Sequence, residues 1–142
     1  RKMKEFADSR ENVKVFASLG QLRYLSCLRH VDCVIGNSSS GLIEAPTLKT
    51  VTINVGDRQL GRLKADSVLD CAPKKHEILA AIRSVYTPEM RQILLDVTNP
   101  YGEGCASSAI VQILESEPLD GLLRKPFFDM PYIHSDFGIE TN

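Results

Sequence analysis

Apolar residues along this chain come in short runs, and the spacing within each run predicts the element it forms. β-Branched and aromatic residues in "VKVFA" (13–17) predict a strand, and Leu22, Leu25, Leu28 and Val31 follow at helical spacing. "DCVIG" (32–36) predicts a second strand; it is mostly apolar without alternation, the pattern of a strand covered on both faces of a parallel sheet. A short helix is expected after the serines at 38–40, limited by Pro46, which removes a backbone donor. "TVTINVG" (50–56) and "DSVLDC" (66–71) predict the third and fourth strands. From Lys74 the period is helical, with Ile78, Leu79, Ile82 and Val85 on one face. Thr87-Pro88 then offers an N-cap and a first-turn proline for "EMRQILLDV". "NPYGEG" (99–104) breaks the chain before a last helix, "CASSAIVQILES" (105–116).

Strand and helix alternate with short connections, which predicts an α/β fold, a doubly wound parallel sheet of Rossmann-like kind with right-handed crossovers. A domain is expected over residues 1–117, followed by a Pro-rich, mostly extended tail over 118–142. The opening stretch "RKMKEFADSR" reads as the polar end of a helix already under way, so a fragment of a longer protein is expected.

At 142 residues, 43% of them hydrophobic and 25% charged, the chain is long enough to bury one core. A net charge of −1 supplies no basic field to hold nucleic acid or anionic lipid, so neither partner is expected and any bound anion must be held locally. No run approaches the roughly 20 apolar residues of a membrane span and no signal segment opens the chain, which predicts a soluble, cytoplasmic protein. Cys27, Cys33, Cys71 and Cys105 form no C-x-x-C pair and are expected to be reduced and buried. His30, His76 and His134 join no cysteine at zinc-like spacing, so no metal site is expected.

The chemistry concentrates in "VIGNSSSGLIEAP" (34–46), an apolar strand running into a hydroxyl-rich turn and a helix. In an open parallel sheet, ligands bind at the carboxyl ends of the strands, where helix N-termini present amides without internal partners. Ser38, Ser39 and Ser40 add hydroxyl donors, while Gly36 and Gly41 keep the backbone clear of Cβ atoms. Glu44 sits about one turn on, placed to accept hydrogen bonds from a pair of adjacent hydroxyls such as those of a ribose. Two other readings stand beside this one. Serine and asparagine also cap helices with no ligand involved. The strand–turn–helix resembles a nucleophile elbow too, with Asp70 and His134 in the right chain order, but Ser40 stands where that motif has its second glycine. The loop "NVGDRQLGRLKADS" opens at the same sheet edge and brings Arg58, whose fork can grip a phosphate, with Arg62 and Lys64 just beyond; the other reading is a solvated basic loop with Asp57 and Asp66 as its salt-bridge partners.

Together "VIGNSSSGLIEAP", "TINVGDRQLGRLKADSV", "NPYGEGCAS" and "KPFFD" resemble, in order and spacing, the C-terminal part of UDP-N-acetylglucosamine 2-epimerases, especially the hydrolysing members that feed sialic-acid and related amino-sugar synthesis. The similarity runs over residues 13–129 and implies a partial C-terminal half of a GT-B fold, whose two Rossmann-like halves hold a nucleotide sugar between them. UDP or UDP-N-acetylglucosamine is the implied ligand, with no cofactor. By that resemblance Ser38, Ser39 and Ser40 attend the diphosphate with Arg58 on the phosphate side, Glu44 takes the ribose hydroxyls, and Ser18, Leu19 and Gly20 lie against the uracil. The implied reaction eliminates UDP from C1 with loss of the C2 proton, then adds water with inversion at C2 to give N-acetylmannosamine, which requires a tuned acid and base. In the family these come largely from the N-terminal domain, so the catalytic residues are expected outside this chain and the chain alone is expected to be inactive. The missing domain would leave apolar surface bare, which predicts self-association into a homo-oligomer. A glycosyltransferase half of the GT-B type, passing the sugar to an acceptor, and a non-catalytic nucleotide-sugar-binding module are the alternatives; "GDRQLGR" favours the epimerase.

Overall fold

The computed structural model describes residues 2–121 and 127. In chain order they form α1 (Lys2–Asp8), α2 (Gly20–Leu28), β1 (Cys33–Gly36), α3 (Ser40–Ile43), a 3-10 turn (Pro46–Leu48), β2 (Val51–Val55), β3 (Val68–Cys71), α4 (Lys75–Val85), α5 (Pro88–Asp96) and α6 (Ala106–Ser116). The chain divides into two compact units, Arg1–Gly104 and Cys105–Asn142. The first carries the sheet and the second carries α6. The "KPFFD" stretch apart from Phe127, His134 and most of the expected tail fall outside the described residues.

Three strands pair in parallel in the order β1-β2-β3. Cys33 stands opposite Val51 and Gly36 opposite Asn54, while Thr52 stands opposite Val68 and Val55 opposite Cys71. Because successive strand residues point to opposite faces, β2 presents Val51 and Ile53 on one side and Thr52 and Asn54 on the other. The first side is apolar: Val51 and Ile53 are fully buried against Val85 at the end of α4 and Met90 of α5. On the second side Thr52 packs against Gly41 of α3. Helices therefore cover both faces, and the sheet is doubly wound as expected.

One expected strand does not form. Residues 13–17 make no ladder with β1, and Val15 and Phe16 are 45% and 64% exposed. Val15, Phe16 and Val34 of β1 instead line one open groove, and the sheet begins at β1. β-Propensity without an adjacent ladder does not make a strand. The helical stripe in α2 is likewise only partly buried: Leu28 is sealed but Leu22 is 81% exposed and Val31, past the helix end, lies at the surface. Nor are all the cysteines buried. Cys27 and Cys105 are exposed, whereas Cys33 and Cys71 are half-buried. Their thiols are pushed up chiefly by burial, with Asp32 adding to the effect at Cys33 and Glu77 and Asp70 at Cys71.

Local signals held where they were local. Thr87 Oγ1 accepts from the Met90 amide at 3.3 Å, and Pro88 occupies the first turn of α5. Glu77, in the first turn of α4, accepts from the Ala72 amide at 3.0 Å and so ties that helix to the strand before it. Pro46 begins a separate 3-10 turn, and Lys49 ends it in the left-handed region. Among the described residues no helix is long and apolar enough to cross a membrane.

Candidate functional site

The carboxyl end of β1 delivers Gly36, then Asn37 and the three serines, into α3. α3 lasts a single turn, so its dipole is small and any anion here must rely on side-chain and backbone donors at close range. Ser38 Oγ accepts from the Ser40 amide at 3.4 Å, a local turn contact, while Ser39 makes no capping bond with its side chain. Two groups from the loop after β2 fix this turn from below. Arg58 Nη1 and Gln59 Nε2 both donate to the Asn37 carbonyl, at 3.0 and 2.7 Å. Arg58 thus stands at the same edge as the serines, with the rest of its fork exposed. Gln59 is 2% exposed, and its Oε1 is buried without a partner among the described residues.

α3 can approach β2 only because residue 41 is glycine. A Cβ there would lie 2.5 Å from Thr52 Cγ2, while one at Gly36 would meet nothing. Gly41 was expected to clear room for a ligand; it clears room for Thr52, whose hydroxyl donates to the Gly41 carbonyl at 2.7 Å.

The carboxylate of Glu44 closes the turn. Ser40 Oγ bonds Glu44 Oε2 and also lies 2.6 Å from the phenol oxygen of Tyr24, which reaches across from α2. Ahead of α2, Ser18 Oγ accepts from the Gly20 amide at 3.2 Å and shapes the loop at the helix head. These pieces line one open groove of about 840 Å³: Ser18, Leu19 and Gly20 lie in its wall together with Tyr24, Ser38, Ser40 and Glu44. Phe16 lines it too, offering an exposed flat ring. Ser39 and Arg58 do not line the groove; Ser39 lies between two residues that do, and Arg58 bonds the carbonyl of Asn37, the residue before Ser38.

Asp70 is engaged elsewhere. It accepts from Asn54 Nδ2 at 2.7 Å and from Lys64 Nζ at 2.6 Å, and it lines a separate cavity with Gly56 and Glu77. Burial raises its carboxyl, but the Asn54 amide and the Lys64 ammonium together outweigh that and hold it below its ordinary value. Asp70, the acid of the nucleophile-elbow reading, is thus engaged by Asn54 and Lys64, and the histidine of that reading, His134, lies outside the described residues. Lys64 pairs with Asp70, on β3, and not with the expected Asp66.

The "NPYGEG" loop is pinned beside the site. Asn99 Nδ2 donates to the Ile43 carbonyl and to Thr47 Oγ1 at 2.7 and 2.6 Å, and the Tyr101 hydroxyl donates to the Leu63 carbonyl at 3.0 Å. Glu103 and Glu44 share the lining of a second cavity of about 340 Å³. Sequence reasoning missed the roles of Tyr24, Gln59 and Phe16: Tyr24 stands outside every quoted motif, Phe16 was expected in a strand, and Gln59 was not singled out within "GDRQLGR".

The sequence profile described as UDP-N-acetylglucosamine 2-epimerase matches residues 1–115. The chain belongs to that family. It is a part of the family's Rossmann-like GT-B fold. It is 36% identical over 132 residues to the Polysialic acid biosynthesis protein P7 of Escherichia coli, covering 84% of this chain and 33% of that protein. It is 37% identical over 118 residues to the GDP/UDP-N,N'-diacetylbacillosamine 2-epimerase (hydrolyzing) of Campylobacter jejuni, with 82% and 30% covered. A UDP-N,N'-diacetylbacillosamine 2-epimerase (hydrolyzing) of Legionella pneumophila is 32% identical over 108 residues, with 76% and 28% covered. The chain therefore spans about a third or less of the curated relatives it matches.

Proposed function

We propose that this chain is the nucleotide-binding part of a hydrolysing 2-epimerase acting on a UDP-linked amino sugar. The observation that supports this reading is the single groove lined together by the loop 18–20, Ser38 and Glu44. The uracil lies against Ser18, Leu19 and Gly20, with the Phe16 ring as an apolar flank. Glu44 accepts from the ribose hydroxyls, since a carboxylate is an acceptor only and suits a vicinal diol. Ser38 and Ser39 donate to the diphosphate, and Arg58, anchored by one nitrogen on Asn37, turns its remaining donors toward it.

In this reading the chain holds the leaving group. UDP departs from C1 as the C2 proton is lost, and donors around the diphosphate stabilise the charge that develops there. The groove wall supplies one carboxylate, Glu44, already committed to hydroxyls. The acid and base for C2 are assigned to parts of the family that the chain does not span.

Calorimetric titration with UDP tests the site. Glu44→Ala is expected to weaken binding about tenfold or more, the effect of losing charge-assisted hydrogen bonds. Heats unchanged by both Glu44→Ala and Arg58→Ala would refute the placement. For the reaction, the full-length protein turning over UDP-N-acetylglucosamine in deuterated water is expected to place deuterium at C2 of the product, and a product without it would refute the elimination route.

A further inference from the structure

We propose that Tyr24 and Ser40 are positioning residues that set the orientation of Glu44 and thereby its discrimination between ribose and deoxyribose. This rests on the nucleotide reading above and adds to it a device that the serine motif alone does not contain.

Proton accounting fixes the direction of the chain. The Ser40 oxygen bonds both Glu44 Oε2 and the Tyr24 hydroxyl, yet it owns one proton. An ionised carboxylate only accepts, so the serine proton goes to Glu44. Tyr24 must then donate its phenol proton to Ser40 Oγ. The sequence of donors is Tyr24 to Ser40 to Glu44, and its members are half-buried. A serine hydroxyl committed in this way has no proton left for a phosphate. Ser40 therefore serves the carboxylate, and the diphosphate is left to Ser38, Ser39 and Arg58.

Position gives the chain its function. Tyr24 belongs to α2 while Ser40 and Glu44 lie 16 and 20 residues on, so the carboxylate is referenced to a second element instead of only to its own short turn. With Oε2 held from one side, Oε1 and the outer lone pair of Oε2 are presented together, the arrangement that accepts two neighbouring hydroxyls. All three side chains line the groove. Without Tyr24 the serine can rotate, and the carboxylate loses the constraint that aims it at the diol.

The test compares UDP with 2′-deoxy-UDP by calorimetric titration of the full-length protein. The unaltered protein is expected to prefer UDP. Tyr24→Phe and Ser40→Ala should each weaken UDP binding about three- to tenfold, the effect of one hydrogen bond, and leave 2′-deoxy-UDP nearly unchanged. Because Tyr24 acts through Ser40, the double variant should be no worse than Ser40→Ala alone. If the preference for UDP survives in Tyr24→Phe and Ser40→Ala but collapses in Glu44→Ala, the positioning role is wrong and the nucleotide reading stands. If Glu44→Ala alters neither ligand, the nucleotide reading itself fails. Losses that add in the double variant would also overturn the proposal. Tyr24→Phe keeps the ring and its packing, so it decides the matter even if Ser40→Ala disturbs the fold.

Discussion

On one face of β2, Val51 and Ile53 are packed against Val85 and Met90; on the other, Thr52 and Asn54 direct hydrogen bonds to Gly41 and Asp70. Both faces are buried, yet they hold different things in place. The apolar face is non-directional, and any set of side chains of the right volume would serve it. On the polar face each contact has one geometry: Thr52 seats the turn of α3 beside the groove, and Asn54 joins the end of β2 to the Lys64–Asp70 pair at a separate cavity. The strand thus supplies stability on one side and site geometry on the other.

The largest effect should come from the apolar face. Ile53→Ala empties a fully buried position and is expected to cost about 2–5 kcal/mol in urea unfolding. The folded protein should nonetheless bind UDP as before, because Ile53 points away from the groove. A loss of UDP affinity in the folded population would erase the division between the faces.

Gly41→Ala sharpens the same comparison from the polar side. The new methyl would stand 2.5 Å from Thr52 Cγ2, and such overpacking costs about 1–3 kcal/mol. Here the turn that carries Ser38 and Ser40 must shift, so UDP binding is expected to weaken along with stability. Adding Thr52→Ser removes the clashing methyl and keeps the hydroxyl that bonds the Gly41 carbonyl. Recovery of both stability and UDP binding in the double variant is the expected result; recovery of stability alone would mean that α3 does not transmit the strand's position to the site.

These contrasts also show what was legible in the sequence. The three strands that formed were readable because their apolar runs lie in a ladder, whereas residues 13–17 carry the same composition but face a groove where no partner reaches them. Thr87 could be read as a cap because the amide it accepts from is three residues away. The meeting of Ser38, Ser40 and Glu44 followed from the end of β1 running straight into α3, whereas the loop 18–20, with no strand before it, was expected there by resemblance alone. Tyr24 and Gln59 could not be found this way: their partners lie 16 and 22 residues off, on other elements, and no periodicity encodes such a meeting. Gly41 was noticed for the right chemistry and the wrong neighbour, since the sequence does not say which strand the turn will rest on.

The smallest effect should separate the faces by pH. Asp70 is held below its ordinary value of 3.8, so it contributes stability that is present above the unfolded-state value and is lost as pH falls through the lower, folded one. Lys64 supplies part of that lowering, while Asn54 remains when Lys64 is replaced. The pair is partly exposed, 23% at Lys64 and 53% at Asp70, so Lys64→Met is expected to cost at most about 1 kcal/mol near neutral pH. That cost should shrink as the carboxylate is protonated, and the urea midpoints of the two proteins should draw together in acid. The Ile53→Ala deficit has no titrating group behind it and should persist across the same range. If the Lys64→Met deficit were equally constant with pH, the ion pair would not be what ties the loop after β2 to β3.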